Sequence, residues 1–237
     1  MAAPTRAAVR LLVNPVVRGR EYLAELPGPF VFVANHPSEL DAPLVSQVLS
    51  GLVPRLVSVS AAPATGIRER AERSLGLRSA STLRALLERG VSVLLFPENR
   101  RADDGSLQPF NLGAAQLGIR AGVPIVPVTI VGSYRALPPW RRLPEPSRPR
   151  VDVIFGRPIQ VTSGSEPRGL NEQIVTAITL GLAEARQGWY GALRAEADGT
   201  LGDAGATVAD GVDAARWRRV WKATQPDTTP RRTVWVK

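Results

Sequence analysis

The chain of 237 residues has no cysteine, one histidine, one methionine and only 5% aromatic residues. Without cysteine there is no disulfide framework, no thiolate metal site and no cysteine nucleophile. A lone imidazole excludes a metal site built from several histidines, and no acidic loop has the spacing of a calcium site. No apolar run approaches the ~18–20 residues needed to cross a bilayer. Residues 1–20, MAAPTRAAVRLLVNPVVRGR, break a short apolar patch with arginines and offer no cleavage site after an apolar core, which argues against a secretory signal. The expectation is a soluble or peripheral protein that stays inside the cell.

Basic residues, by contrast, are in excess. Lys and Arg total 30 against 21 Asp and Glu, a net charge of +9. Such a surface attracts polyanions: nucleic acid, anionic lipid or phosphorylated substrates. The 44% hydrophobic content supplies the core of one α/β domain of ordinary size, with or without a tail.

Buried-type runs at 30–34 (FVFVA), 55–60, 91–96 (VSVLLF), 124–132 and 151–156 read as strands. Between them, 42–52, 79–90, 111–122 and 170–187 carry helical periodicity, several of them closed by glycine. This alternation predicts an α/β fold: a single domain with a largely parallel central sheet flanked by helices. Pro127, inside the fourth run, predicts an edge strand or a bulge. The proline- and arginine-rich stretch 136–150 reads as a semi-rigid excursion. The domain is expected over 1–190. After it, Glu196, Asp198, Asp203, Asp210 and Asp213 mark an acidic linker, followed by a basic tail from Arg216 with Trp217, Trp221 and Trp235. That tail either meets an anionic membrane or folds back over the domain. The same two readings apply to Leu11, Leu12, Val13, Val16 and Val17, set among Arg6, Arg10, Arg18 and Arg20, and to Trp140 beside Arg141 and Arg142.

Two stretches carry candidate chemistry. In ANHPSELDAP (34–43), His36 leaves a strand and Asp41 follows five residues on. A carboxylate on one ring nitrogen fixes the imidazole tautomer and frees the other nitrogen as a base. Equally, Asp41 suits the N-cap of the helix that begins at Ala42-Pro43. In LLFPENRRADDG (94–105), a buried strand delivers Glu98, Asn99, Arg100 and Arg101 to its C-terminal end, where open α/β sheets bind ligands. Paired guanidinium groups there match phosphate or carboxylate, with Glu98 orienting an arginine or receiving a substrate hydroxyl. A solvated charged loop would look the same.

Taken together, NHPSELD, FPENRR, PFNLGAA and VPIVPVTI resemble, in order and spacing, the motifs of the glycerolipid acyltransferases, the family of 1-acylglycerol-3-phosphate and glycerol-3-phosphate acyltransferases. Asn35, His36 and Asp41 match its N-H-x-x-x-x-D motif. Phe96, Pro97, Glu98 and Arg101 match F-P-E-G-T-R-S, and Val123-Pro124 with Pro127-Val128 match V-P-x-x-P-V. Asn99 stands for the usual glycine, Arg100 for threonine and Asn111 for a frequent lysine. The second motif is compressed into 66–81, where Arg78, then Arg68, fit best. The resemblance implies acyl transfer from acyl-CoA or acyl-carrier protein to a hydroxyl of a lysophosphatidate-like acceptor. It implies His36 as general base, Asp41 as its holder, and Arg101 with Arg100 and Arg78 as the clamp for the acceptor's anionic head. Ser38, two residues from His36, reads as a structural hydrogen bonder. No metal and no bound cofactor are implied. The expected partners are the thioester donor, an anionic lipid acceptor and an anionic membrane surface at the inner face of the cell membrane, with no specific nucleic acid. An acyltransferase of the same family with a different lysophospholipid or glycolipid acceptor, and a non-catalytic basic binding protein, are the alternatives.

Overall fold

The computed structural model describes residues 11–24, 26–60, 79–98, 105–138, 141, 143–162 and 164–201. Continuous Val, Ile and Phe runs cannot face water on either side, so they become interior strands covered on both faces. These are β2 (Val31–Ala34), β4 (Ser92–Phe96) and β5 (Ile125–Val131). With β1 (Asn14–Arg18), β3 (Leu56–Ser60) and β6 (Arg150–Phe155) they form one sheet in the order β1-β6-β5-β2-β4-β3. The strands β5, β2, β4 and β3 run parallel, β6 is antiparallel to β5, and β1 is parallel to β6. The edge that receives the C-terminal ends of β2, β4 and β5 therefore also holds the N-terminal ends of β6 and β1.

Helices α1 (Glu21–Ala24), α2 (Asp41–Leu49), α3 (Ala80–Glu88), α4 (Gly113–Ala121), α5 (Ser133–Ala136) and α6 (Pro167–Ala197) fill the connections. Alternate strand residues build two cores. Phe30, Phe32 and Ala34 pack with Leu44 and Leu49 of α2 on one face. Val31 and Val33 pack with Leu83, Leu117 and Ile174 of α3, α4 and α6 on the other. The α/β reading with a largely parallel sheet stands.

Three expectations change. Pro127 lies in an interior strand, opposite Val33 of β2, and neither at an edge nor in a bulge. Its carbonyl accepts the Gly156 N–H at 2.8 Å just past the end of β6, so the missing proline N–H falls where the β5–β6 ladder has stopped. Of the two readings open for the N-terminal patch, packing on the domain holds for Val16 and Val17, but as strand β1 and not as a helix, and Val13 is fully buried. Finally, the helix read over 170–187 breaks where that reading ends it, but a further helical stretch follows. Gly188 (φ 75°, ψ 168°) leaves helical geometry, and the chain then resumes to Ala197 with Ala192 and Ala195 buried. The ordered helix thus crosses the expected domain limit at 190. The basic tail from Arg216 and most of the acidic linker lie outside the described residues.

Helix α6 sits on β5 through a close approach at Gly181, where an added Cβ would run into the Thr129 hydroxyl and Cβ. Thr129 cannot step aside, because its hydroxyl donates to the Ile178 carbonyl at 3.2 Å and the residue is β-branched. Gly181→Ala should therefore lower stability by about 1–3 kcal/mol in chemical denaturation, although alanine is the better helix former by ~1 kcal/mol. A stabilised variant would show that α6 shifts freely over the sheet.

Candidate active site

The site grows from the ends of two neighbouring strands. Past Ala34, the backbone of β2 leaves the ladder and Asn35 replaces it with side-chain bonds. Its amide donates to the Ile130 carbonyl at 2.9 Å and accepts the Ile130 N–H at 2.8 Å, which clasps the end of β2 to β5. His36 follows, buried, with its ring stacked on Phe96 of β4 at a centroid distance of 4.3 Å.

The turn from His36 into α2 brings Asp41 back to the imidazole. Asp41 Oδ2 lies 3.0 Å from His36 Nδ1 and accepts the Ser38 N–H at 2.7 Å. A carboxylate already accepting one hydrogen makes Nδ1 the donor, so the neutral ring carries its lone pair on Nε2. Nε2 has no hydrogen bond among the described residues. Asp41 opens α2 as the first helical residue, Leu40 takes the cap position, and the Asp41 carboxylate lies against the histidine ring. Ser38 is a structural bonder, as expected. Its hydroxyl donates to the Leu137 carbonyl at 2.8 Å and accepts the Leu40 N–H at 3.2 Å.

Glu98 comes from the end of β4 and is buried. Its two oxygens accept the His36 N–H at 2.7 Å and the Gln108 N–H at 3.0 Å. Expected to orient an arginine or a substrate hydroxyl, Glu98 braces the backbone of the histidine and of the returning loop among the described residues. Burial pushes its carboxyl from 4.5 up to about 7; the two N–H bonds oppose that shift and the nearby Asp41 charge adds to it. Asn111 closes the same loop. Its side chain donates to the Pro97 carbonyl at 2.7 Å and accepts the Gly113 N–H at 2.9 Å at the start of α4. Arg100, Arg101, Arg78 and Arg68, the expected clamp, lie outside the described residues. A groove of about 1070 Å³ along α6 contains none of these side chains. Among the described residues there is no cluster of acidic or histidine side chains able to hold a metal.

Residues 14–131, which span every element from β1 to β5, match the acyltransferase family model. The chain belongs to the glycerolipid acyltransferase family. It is 28% identical over 132 residues to a chloroplastic 1-acyl-sn-glycerol-3-phosphate acyltransferase of Brassica napus, covering 52% of this chain and 38% of that protein. It is 36% identical over 123 residues to human 1-acyl-sn-glycerol-3-phosphate acyltransferase alpha, covering 45% and 42%. The match therefore spans well under half the length of these relatives. The crystal structure of the 1-acyl-sn-glycerophosphate acyltransferase of Thermotoga maritima shares the fold, with a TM-score of 0.62 at 24% identity over 77% of each chain. In this glycerolipid acyltransferase domain, the motif residues Asn35, His36, Asp41 and Glu98 converge. Sequence reading had assigned no task to Asn35 or Gln108 and had not seen the Phe96 stack.

Two outcomes follow from this geometry. Asn35→Ala should cost roughly 2–5 kcal/mol, because it orphans a buried N–H and a buried carbonyl at Ile130. Denaturant melts compare the variants directly, and a loss under ~1 kcal/mol would mean that water replaces the clasp. For Glu98, the folded carboxyl titrates near 7 and the unfolded one near 4.5, so its contribution to stability is full below about 4.5 and is lost as pH rises through about 7. Glu98→Gln removes that term. Relative to wild type it should gain stability from pH 5 to pH 8, by at most ~1.4 kcal/mol per pH unit. A pH-independent difference would place the Glu98 carboxyl at its ordinary value.

Proposed function

We propose that the protein transfers a fatty acyl group from a thioester donor, acyl-CoA or acyl-carrier protein, to the free hydroxyl of a lysophosphatidate-like acceptor. The observation that carries this reading is the buried Asp41–His36 pair, with Nδ1 tied at 3.0 Å and Nε2 left as the base. The printed names of the relatives, acyltransferases of 1-acyl-sn-glycerol-3-phosphate, support the acceptor class.

Nε2 takes the hydroxyl proton as the oxygen attacks the thioester carbonyl. The new C–O bond forms a tetrahedral intermediate, the C–S bond then breaks, and the imidazolium returns its proton to the leaving thiolate. Asp41 stabilises the imidazolium between those steps, and Glu98 keeps the His36 backbone from drifting. The Ser38 hydroxyl, held by Leu137, is not needed as a nucleophile. The reaction calls for no metal and no cofactor besides the donor. Arg101, with Arg100 and Arg78, supplies the cationic clamp for the acceptor's phosphate. An apolar pocket of about 220 Å³ behind Phe96, lined by Val59, Leu83, Leu95 and Leu117, offers room for part of the acyl chain.

Release of free thiol from acyl-CoA or acyl-carrier protein, measured with a panel of lysophospholipid acceptors and read by mass spectrometry of the products, tests the reading. Release that depends on lysophosphatidate supports it; release with another acceptor only moves the specificity; no release with any acceptor sinks it. His36→Ala should lower turnover ~10²–10⁴-fold while the protein stays folded. Asp41→Asn should cost less than that but still reduce kcat, which a simple helix-cap loss would not do. Arg101→Ala should raise the acceptor KM far more than the donor KM. The opposite pattern would move Arg101 to the donor side.

A further inference from the structure

The groove of about 1070 Å³ beside α6 runs over β6 and β1, and no residue of β2, β4 or the histidine turn lines it. One wall depends on the kink in α6. Gly188 takes φ 75° and ψ 168°, a backbone region open almost to glycine alone. Past that turn, Trp189, Leu193 and Glu196 come round to line the same hollow as Glu172 and Glu184 before it. Trp189 is 67% exposed and Leu193 is 37% exposed, so two large apolar side chains stand in an open groove. The charges there are mostly of one sign. Four carboxyl groups, on Glu21, Glu172, Glu184 and Glu196, line it against two guanidinium groups, on Arg18 and Arg157. Arg18 is already tied to Glu184 at 3.2 Å and to Asp152 at 3.4 Å. Arg157 lies over the Tyr22 ring, 5.4 Å from its centroid. Glu21, Glu172 and Glu196 make no ion pair among the described residues. On a chain of net charge +9 this is an acidic groove with an apolar wall.

We infer that this groove is the seat of the chain's own basic tail, with Trp217 and Trp221 set against Trp189 and Leu193 and the basic residues among them paired to Glu21, Glu172 and Glu196. Complementarity is the first argument. Residues 216–222, RWRRVWK, hold four basic side chains and two tryptophans with no acid, which is the inverse of the groove's charge and the match of its apolar wall. Reach is the second. The described chain ends at Leu201, five positions past Glu196. The fifteen steps from there to Arg216 span up to ~50 Å when extended. The linker between them carries Asp203, Asp210 and Asp213, which the groove's carboxylates repel, so the tail and not the linker is the occupant. Size is the third. At about 1070 Å³ the groove exceeds the ~300–1,000 Å³ of ordinary small-molecule sites and suits a segment of chain. Because the tail is tethered beside the groove, the encounter is intramolecular and a modest contact suffices. Of the two readings of the tail, folding back over the domain is the one this groove favours. The inference is independent of the proposed reaction, since β6 stands two places from β2 in the sheet and the groove leaves the histidine turn uncovered.

The test uses the full-length chain with the photoreactive residue p-benzoylphenylalanine in place of Trp221. Irradiation in dilute solution is followed by mass spectrometry of the cross-linked peptides. Cross-links within one chain to residues 169–196 or 18–22 are expected, and salt should lower their yield. Glu172→Lys combined with Glu196→Lys should lower that yield about fivefold or more. Arg218→Glu combined with Lys222→Glu should do the same. All four changes together should restore the yield, which a merely distorted groove would not do. Trp189→Ala combined with Leu193→Ala should lower it with the charges intact. The groove cross-links should persist when vesicles of phosphatidylcholine and phosphatidylglycerol are added. No cross-link, cross-links elsewhere on the domain, or cross-links only between two chains overturn the inference. So does transfer of the label from the groove to phospholipid when the vesicles are added. A yield untouched by either charge reversal, or not rescued by the combined one, overturns it as well. Acyl transfer is not read at any stage, so a failure here and a failure of the proposed reaction are separate results.

Discussion

Side chains carry the sheet past the point where its backbone ladder stops, and the candidate active site is built on that extension. At the end of β2 the chain must turn out of the sheet to present His36, which would leave the Ile130 N–H and carbonyl unpaired in the interior. Asn35 meets both. One strand over, Glu98 does the same for the His36 N–H. Buried backbone polar groups need partners almost without exception, so a histidine can stand at this strand end only if its neighbours complete the hydrogen-bonding pattern. The motif residues flanking His36 are thus architectural before they are chemical.

Burial sets the character of the charges as well. Asp41 is fully buried, and its Oδ2 lies against both the imidazole and the Ser38 N–H. Glu98 is under opposite pressures. Loss of water and the nearby Asp41 favour the neutral acid, while two backbone N–H groups favour the anion. The two carboxyl groups meet the same histidine differently: Asp41 lies against its ring nitrogen, and Glu98 holds its backbone N–H.

The four parallel strands were legible because runs such as FVFVA and VSVLLF are long, β-branched and free of charge. β1 was not, since NPVVR begins with Asn-Pro, ends in arginine and owes its place to β6, more than a hundred positions away. Pro127 was misread because a proline's cost in a sheet depends on where the neighbouring strand ends, which is a tertiary fact. The helix over 170–187 was legible, but the further stretch to Ala197 was not, because nothing after Gly188 announces that the chain resumes a helix. In the site, the five-residue interval from His36 to Asp41 pointed to a contact, but a helix cap shares that interval and only the distance to Nδ1 separates the two. Glu98 was placed with the arginines beside it in sequence. Its partners among the described residues, His36 just past β2 and Gln108, meet it only through the pairing of β2 with β4 and the closure of the loop. Nothing in the order of residues could pair Asn35 with Ile130.

The clasp at Asn35 leaves that position one chemical solution. Its amide must give a hydrogen to a carbonyl and take one from an N–H of the same residue. Aspartate keeps the shape but turns the donor into a second acceptor aimed at a carbonyl oxygen. Glutamine keeps the chemistry on a stem one methylene too long, and leucine keeps the volume alone. Hydrolysis of the amide, the slow damage that asparagine side chains suffer with time, would make that first exchange without any mutation. Here it would put a negative charge against the Ile130 carbonyl, one residue from His36. A molecule aged in this way would part β2 from β5 at the strand end and lose the geometry of the candidate site while the rest of its sheet remained folded.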